Sequence, residues 1–297
     1  NLAVLSHMLG DKASARREYE IALQQNPKIG FAHLNLAVLD LEEGDPKSAS
    51  AHLEELVRLS PEYAGAHYML GVAKARIGEG PEAAASFERA ASLLPQFLDP
   101  HVELADLLFR SGSPEKSMDH VRLVLDHPKA SARVLRKLAA VLLAQNRLDE
   151  ALEACSRALE SREAGYEDWN NRAVVFLRKG LLQEAEADLL EAVARGPNRP
   201  EALNNLGIVH ASRKAFREAL SAFLEAEHKD PAFAPALLNA AVIYGQYLGD
   251  TENMTSYLSR YLENGGTHQR DLLQAWLGAA QGQARSSPGT FEDQTSD

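Results

Sequence analysis

The sequence lacks the short motifs that mark most cofactor-dependent enzymes and membrane proteins. Its single cysteine, Cys155, excludes an intramolecular disulfide and is compatible with a reducing compartment such as the cytoplasm. No apolar run approaches the ~18–20 residues that cross a bilayer. Glycine-rich phosphate loops, Cys-x-x-Cys pairs and His-Glu-x-x-His motifs are also missing. We therefore expect no enzymatic activity in this chain, no cofactor and no membrane span.

The charge is also one-sided. Acidic residues number 42 and basic residues 31, which gives a formal net charge of −11. Non-specific binding of nucleic acid depends on lysine and arginine side chains that neutralise phosphates. We therefore expect no nucleic-acid partner.

Five of the 13 prolines form a ladder with a step of 34 residues. They are Pro27, Pro61, Pro95, Pro197 and Pro231. One interval, from Pro95 to Pro197, equals three such steps. A strict period of this length is typical of stacked supersecondary units. We number each repeat from 1 to 34, with the ladder proline at position 32.

Other positions of the repeat predict a helical hairpin in each unit. Position 15 carries glycine or asparagine in most repeats, where a first helix would end in a left-handed conformation. The proline would stop the second helix. Position 24 is mostly large, and position 8 is always small, so that two helices can approach closely. The residues at position 8 are Ala3, Ala37, Gly71, Ala105, Ala139, Ala173, Gly207 and Ala241, and a one-residue insertion near Tyr247–Gly249 follows in the last repeat.

This pattern resembles the tetratricopeptide repeat family and recurs in eight units. The resemblance implies an all-α fold, a right-handed α-solenoid of helical hairpins. We expect the array to span residues 1–266, a capping helix to follow over 267–284, and the tail 285–297 to be disordered. Because Asn1 falls inside a first helix, we expect the array to begin upstream of this sequence.

Three histidines raise the question of a metal site. His33, His67 and His101 all occupy position 4 of consecutive repeats. Equivalent positions on stacked helices lie about 8–10 Å apart, whereas metal–nitrogen bonds are about 2 Å long. These three side chains cannot share one ion, so we expect no metal site.

Asparagine is frequent on the face of the first helices that would line the concave groove of such a solenoid. Its side chain both donates and accepts hydrogen bonds, so it can pair with the backbone of an extended peptide. Consecutive repeats would be spaced by ~10 Å, about three residues of extended chain. The candidate residues are Asn35, Asn170, Asn171, Asn204, Asn205 and Asn239. The alternative is that these amides bond neighbouring helices to one another.

Basic residues cluster on the same face and would favour an acidic partner segment. They are Arg136, Lys137, Arg172 and Arg178. The sequence therefore predicts a protein-interaction scaffold or adaptor that binds an extended segment of a protein partner. Two alternatives stay open: the recognition arm of a larger enzyme, such as a glycosyltransferase, or an assembly factor of a bacterial pilus, secretion or motility machine.

Overall fold

The computed structural model describes residues 2–162, 164–267 and 273, and the regular structure in these residues is helical. This confirms the all-α prediction. The chain divides into two compact units, a first unit that ends at Ala130 and a second unit that begins at Ser131.

In the first unit, consecutive helices pack as hairpins, α1 with α2 through α7 with α8. The helices are α1 (Leu2–Met8), α2 (Lys12–Gln25), α3 (Gly30–Glu43), α4 (Pro46–Leu59), α5 (Ala64–Ile77), α6 (Gly80–Leu93), α7 (Asp99–Arg110) and α8 (Pro114–Leu125).

The second unit repeats the same arrangement. Its helices are α9 (Ala132–Ala144), α10 (Leu148–Leu159), α11 (Tyr166–Arg178), α12 (Leu182–Arg195), α13 (Pro200–Ser212), α14 (Phe216–Lys229), α15 (Ala234–Val242) and α16 (Thr251–Glu263). The odd-numbered helices are the first helices of their hairpins, and the even-numbered ones are the second helices.

The turn inside each hairpin is left-handed, as position 15 predicted. A residue with positive φ follows every first helix that the structure describes. Six of these residues are glycines, and the other two are Asn146, with φ of 55°, and Lys214, with φ of 61°. Lysine carries a Cβ atom that disfavours this conformation. The turn geometry is therefore kept even where the sequence departs from glycine.

The ladder prolines end the second helices. Asn26, Ser60, Leu94, Gly196 and Asp230 each precede a proline and are the C-terminal caps of their helices. Their ψ angles lie between 65° and 101°, outside the helical range. The proline ring excludes the α conformation from the residue before it. The 34-residue ladder thus sets where each second helix stops.

The small residue at position 8 lies directly under the large residue at position 24 of the same hairpin. A Cβ atom added to Gly71 would come within 2.6 Å of the Phe87 ring, and one added to Gly207 would meet the ring of Phe223. Both phenylalanines are buried. These contacts confirm the predicted close approach of the two helices, which in these two hairpins leaves no room for a side chain at position 8.

The one-residue insertion widens a helix. Residues Ile243–Leu248 form a π-helix that continues α15 and ends at Gly249, whose φ is 69°. A π turn accommodates one extra residue per turn without breaking the helix. Gly249 therefore keeps the left-handed turn, and α16 still packs against α15.

The predicted capping helix over 267–284 lies outside the described residues, apart from Thr267 and Leu273. Leu273 is helical and buried in a cluster with Leu237, Met254, Leu258 and Tyr261. The predicted tail, 285–297, lies wholly outside the described residues. The boundaries of these two segments stay predictions.

Candidate functional site

The first helices of the second unit carry two asparagine pairs that link neighbouring hairpins. Asn205 Nδ2, on α13, donates a hydrogen bond of 3.0 Å to Asn170 Oδ1 on α11. One repeat later, Asn239 Nδ2, on α15, donates a bond of 2.9 Å to Asn204 Oδ1 on α13. Both pairs follow one rule, in which position 6 of a repeat donates to position 5 of the repeat before it.

Each pair uses only part of its hydrogen-bonding capacity. A carboxamide has two N–H donors and an oxygen with two acceptor lone pairs. Among the residues that the structure describes, no side-chain hydrogen bond uses the Asn170 amide group or the Asn205 carbonyl, so both can bind a further partner. Asn204 is 6% exposed, so the accessible group of the second pair is the Asn239 carbonyl. The pairs therefore present donors and acceptors on consecutive first helices.

Asn171 differs from its neighbours. It lies on α11 and is half-buried, and its side chain makes no hydrogen bond within the described part of the chain. We define the asparagine cluster as Asn170, Asn171, Asn204, Asn205 and Asn239, all in the second unit.

Asn35 belongs to the first unit and is engaged differently. Its Nδ2 donates a bond of 2.7 Å to the carbonyl oxygen of Phe31, one turn earlier in α3. Such a bond within one helix links no neighbouring hairpin. Asn35 was predicted together with the others because it also occupies position 6 of its repeat. The residue that it would pair with, at position 5 of the preceding repeat, lies outside the sequence as given.

Two of the predicted arginines are held by buried carboxylates. Arg136, on α9, lies 3.0 Å from Asp168 Oδ2, and Asp168 also accepts the backbone N–H of Gly165 at 2.9 Å. Asp168 is 1% exposed. This carboxylate thus caps the first turn of α11 and compensates the charge of Arg136.

Arg172 points into its own hairpin. Its Nε and one terminal nitrogen bind both carboxylate oxygens of Asp188 on α12, at 2.6 and 2.8 Å. These bonds raise the pKa of the Arg172 guanidinium. The same guanidinium lies over the rings of Trp169 and Phe176, with its central carbon 5.3 and 5.6 Å from their centroids. The charge of Arg172 is therefore compensated between α11 and α12.

Arg178 keeps an exposed side chain. It donates a bond of 2.8 Å to the carbonyl oxygen of Leu143 at the end of α9. Among the described residues it contacts no carboxylate. Lys137, on α9, is half-buried. Of the four predicted cations, Arg178 is the one whose charge is both exposed and uncompensated by an acid in the described residues.

Sequence reasoning missed Asp168 and Asp188, which set the roles of Arg136 and Arg172. A usable signal was present: Arg172 occupies a position that is apolar in most repeats, so a buried carboxylate was needed to compensate it. Only the fold identifies which acid meets it, since Asp188 lies 16 residues later on the opposing helix.

The single cysteine of the sequence, Cys155, is buried. Burial raises the pKa of the Cys155 thiol to about 12, so the thiol is protonated at neutral pH and is a poor nucleophile. Within the described residues there is no cluster of three or more metal-ligating side chains. None of the helices described is both long enough and apolar enough to cross a membrane.

Comparison with protein families identifies the repeat. A model described as tetratricopeptide repeat matches three segments of the chain, residues 34–96, 102–168 and 170–235. These segments cover more than half of the sequence. No curated protein matches the chain.

Solved structures of similar fold cover most of the chain. A tetratricopeptide repeat protein from Parabacteroides merdae is 15% identical over 85% of this chain and 98% of its own, with a TM-score of 0.60. Yeast Tom70 is 16% identical over 91% of this chain and 59% of its own, with a TM-score of 0.67. A chain of the APC/C hetero-tetramer Cut9–Hcn1 is 15% identical over 90% of this chain and 52% of its own, with a TM-score of 0.57. At these identities the similarity is one of fold.

Proposed function

Since the chain belongs to the tetratricopeptide repeat family, we propose that it is a non-enzymatic scaffold that binds partner proteins. The finer part of the proposal is that the asparagine cluster holds an extended segment of the partner along the first helices of the second unit. A stack of helical hairpins presents a surface and supplies no reaction chemistry of its own. The similar chain in the Cut9–Hcn1 hetero-tetramer is likewise part of a protein assembly.

The observation that carries this proposal is the repetition of the asparagine pairs on α11, α13 and α15. Neighbouring helices pack about 8–10 Å apart, and three residues of an extended strand span about 10 Å. A peptide that runs across these helices would meet one carboxamide at every third residue. Each carboxamide could bond one backbone N–H or C=O of the peptide.

The pairs also bear on the alternative that the asparagines only bond neighbouring helices. Two bonds of 3.0 and 2.9 Å do link the helices. The remaining amide and carbonyl groups are still available, so the two roles are compatible. By linking the helices, the pairs would hold the free groups in fixed positions, which lowers the entropic cost of binding.

Charge supports an acidic segment next to the cluster. Arg136 and Arg172 are compensated by Asp168 and Asp188, so we assign the preference for acid to Arg178. A carboxylate of the partner could bind the exposed guanidinium of Arg178.

A peptide selection tests the proposal directly. Peptides selected from a random phage-displayed library on the purified chain should be enriched in aspartate or glutamate. Their affinities for the native chain and for the variant Asn171→Ala are then measured by fluorescence polarisation. We expect the variant to bind about 5–10-fold more weakly, the effect of losing one hydrogen bond of ~1–1.5 kcal/mol. Its melting temperature should not change, because Asn171 makes no hydrogen bond in the described structure.

The variant Asn205→Ala adds a second comparison. It removes a side-chain group that would bind the peptide and also the hydrogen bond to Asn170. It should lose affinity and some stability together. Asn198→Ala, in the exposed loop before α13, serves as the matched control. Selected peptides that bind Asn171→Ala and Asn205→Ala as tightly as the native chain would exclude the asparagine cluster as the binding surface.

A further inference from the structure

Two histidine pairs in the first unit join the two helices of a hairpin. His33 Nδ1, on α3, lies 3.1 Å from His52 Nδ1 on α4. His101 Nδ1, on α7, lies 2.9 Å from His120 Nδ1 on α8. In both pairs the two residues are 19 apart in sequence, at positions 4 and 23 of the repeat. The same geometry therefore occurs twice in one unit.

The outer nitrogen of His33 is held by the backbone. His33 Nε2 lies 3.0 Å from the carbonyl oxygen of Pro27 and, because a carbonyl only accepts, this nitrogen carries the proton. The lone pair of His33 Nδ1 then accepts the proton of His52 Nδ1. A histidine that binds a metal is normally oriented in this way, with one nitrogen donating to a carbonyl and the other turned to the ion.

The distance between the two inner nitrogens fits a chelated ion. With metal–nitrogen bonds of about 2.0–2.1 Å, two ligands lie about 3.4 Å apart at a tetrahedral angle and about 2.9 Å apart at a right angle. The observed separations are 3.1 and 2.9 Å. An ion could take the place of the proton between the two inner nitrogens if the imidazole rings rotate, with no change in the spacing of the helices. That proton then moves to the outer nitrogen of the ring that carried it, so both imidazoles stay neutral.

The charge around each pair also suits a cation. Asp40 and Glu20 act on His52, where Arg16 and His33 oppose them. Glu88 and Asp119 act on His120.

We propose that each histidine pair is a two-histidine site for a divalent transition-metal ion of the type that imidazole prefers, such as Zn²⁺, Ni²⁺ or Cu²⁺. Water completes the coordination from the exposed side of the hairpin. The proposal differs from the site that the sequence argument excluded, which required His33, His67 and His101 to share one ion. Here the ligands come from the two helices of one hairpin, so the ion binds only the folded hairpin and stabilises it.

His67 provides an internal comparison. Its Nε2 lies 2.9 Å from the carbonyl oxygen of Pro61, the same arrangement as in His33. Position 23 of its repeat is occupied by Ser86 instead of histidine. The hairpin of α5 and α6 is therefore a natural version of the site that lacks its second ligand.

Calorimetric titration with Zn²⁺ tests the proposal on the untagged chain, in a buffer that does not chelate. We expect His52→Ser and His120→Ser each to remove one bound ion per chain, and the double variant to remove two. Serine copies what Ser86 supplies at the same position of the neighbouring repeat. His67→Ser is the matched control and should leave the number of bound ions unchanged.

The converse variant adds a site. Ser86→His places a second histidine opposite His67, so it should bind one more ion than the native chain. Melting temperatures measured with EDTA establish that each variant is folded. If His52→Ser does not fold, His52→Gln takes its place. Zinc binding that is undetectable, or equal in the native chain and in the folded double variant, would overturn the proposal.

Discussion

At the scale of single residues, the left-handed turn between the helices of a hairpin is the most constrained position. Glycine occupies it in most hairpins, and Lys214 occupies it between α13 and α14 with φ of 61°. A Cβ atom in this conformation costs roughly 1–2 kcal/mol. The packing of α13 against α14 evidently holds Lys214 there in spite of that cost.

Replacing this lysine with glycine should stabilise the protein. Lys214→Gly removes the strain, and part of the gain is offset because glycine loses more backbone entropy on folding. We expect the free energy of unfolding to rise by about 0.5–1 kcal/mol, measured by urea denaturation. Lys214→Ala is the control, since alanine keeps the Cβ atom and the strain. Equal stability of the two variants would show that Lys214 is not strained.

At the scale of a helical hairpin, residues at positions 8 and 24 are matched in size. Glycine lies opposite phenylalanine in the pairs Gly71–Phe87 and Gly207–Phe223. Alanine occupies position 8 where position 24 is smaller, as in the repeats that contain Leu53 and Leu189; the first repeat, with Ala3 and Tyr19, is the exception. Because these core positions are buried, the sum of the two side chains sets the distance between the helices.

This matching predicts a compensation between two substitutions. Gly207→Ala places a methyl group against the ring of Phe223 and should cost about 1–3 kcal/mol of stability through overpacking. Adding Phe223→Leu recreates the combination of Ala173 with Leu189 and should recover part of that loss. A double-mutant cycle of unfolding free energies measures the coupling. Additive effects of the two substitutions would contradict a direct steric contact.

Much of each hairpin could be predicted from the sequence, because turns, helix ends and small residues are local features that recur with the period. Position 15 predicted the left-handed turns, and the ladder prolines predicted the helix ends. The family assignment from this pattern is also confirmed. Contacts that occur in one or two hairpins were not predictable in this way. The bond of Arg172 to Asp188 and the contact of His33 with His52 each depend on which side chains face one another across a particular hairpin.

At the scale of the whole molecule, the two units share one hairpin design but differ in the polar groups that it carries. The first unit holds the histidine pairs, and the second unit holds the asparagine cluster and the ion pairs of Arg136 and Arg172. The repeated backbone therefore specifies the fold, while the polar side chains distinguish one unit from the other.

The histidine pairs predict that the protein loses stability in mild acid. Burial lowers the pKa of His52, His101 and His120 below the ordinary value of 6.5. Well above pH 6.5 these groups are neutral in both the folded and the unfolded chain. As the pH falls below 6.5, the unfolded chain binds protons first, so stability decreases until the folded-state pKa values are reached. The helix-capping carboxylates Asp11 and Asp45 cannot account for this loss, because hydrogen bonds from the helix lower their pKa below 3.8.

Melting temperatures between pH 7.5 and 5 measure this effect, with EDTA present so that no metal ion contributes. The double variant His52→Ser/His120→Ser removes two of the three histidines with a lowered pKa and one member of each pair. Its melting temperature should therefore depend less on pH than that of the native chain. His228→Ser, at an exposed position of α14, serves as the control and should follow the native curve. Parallel curves for the native chain and the double variant would show that acid acts on other groups, and the histidine pairs would then have no part in the pH dependence of stability.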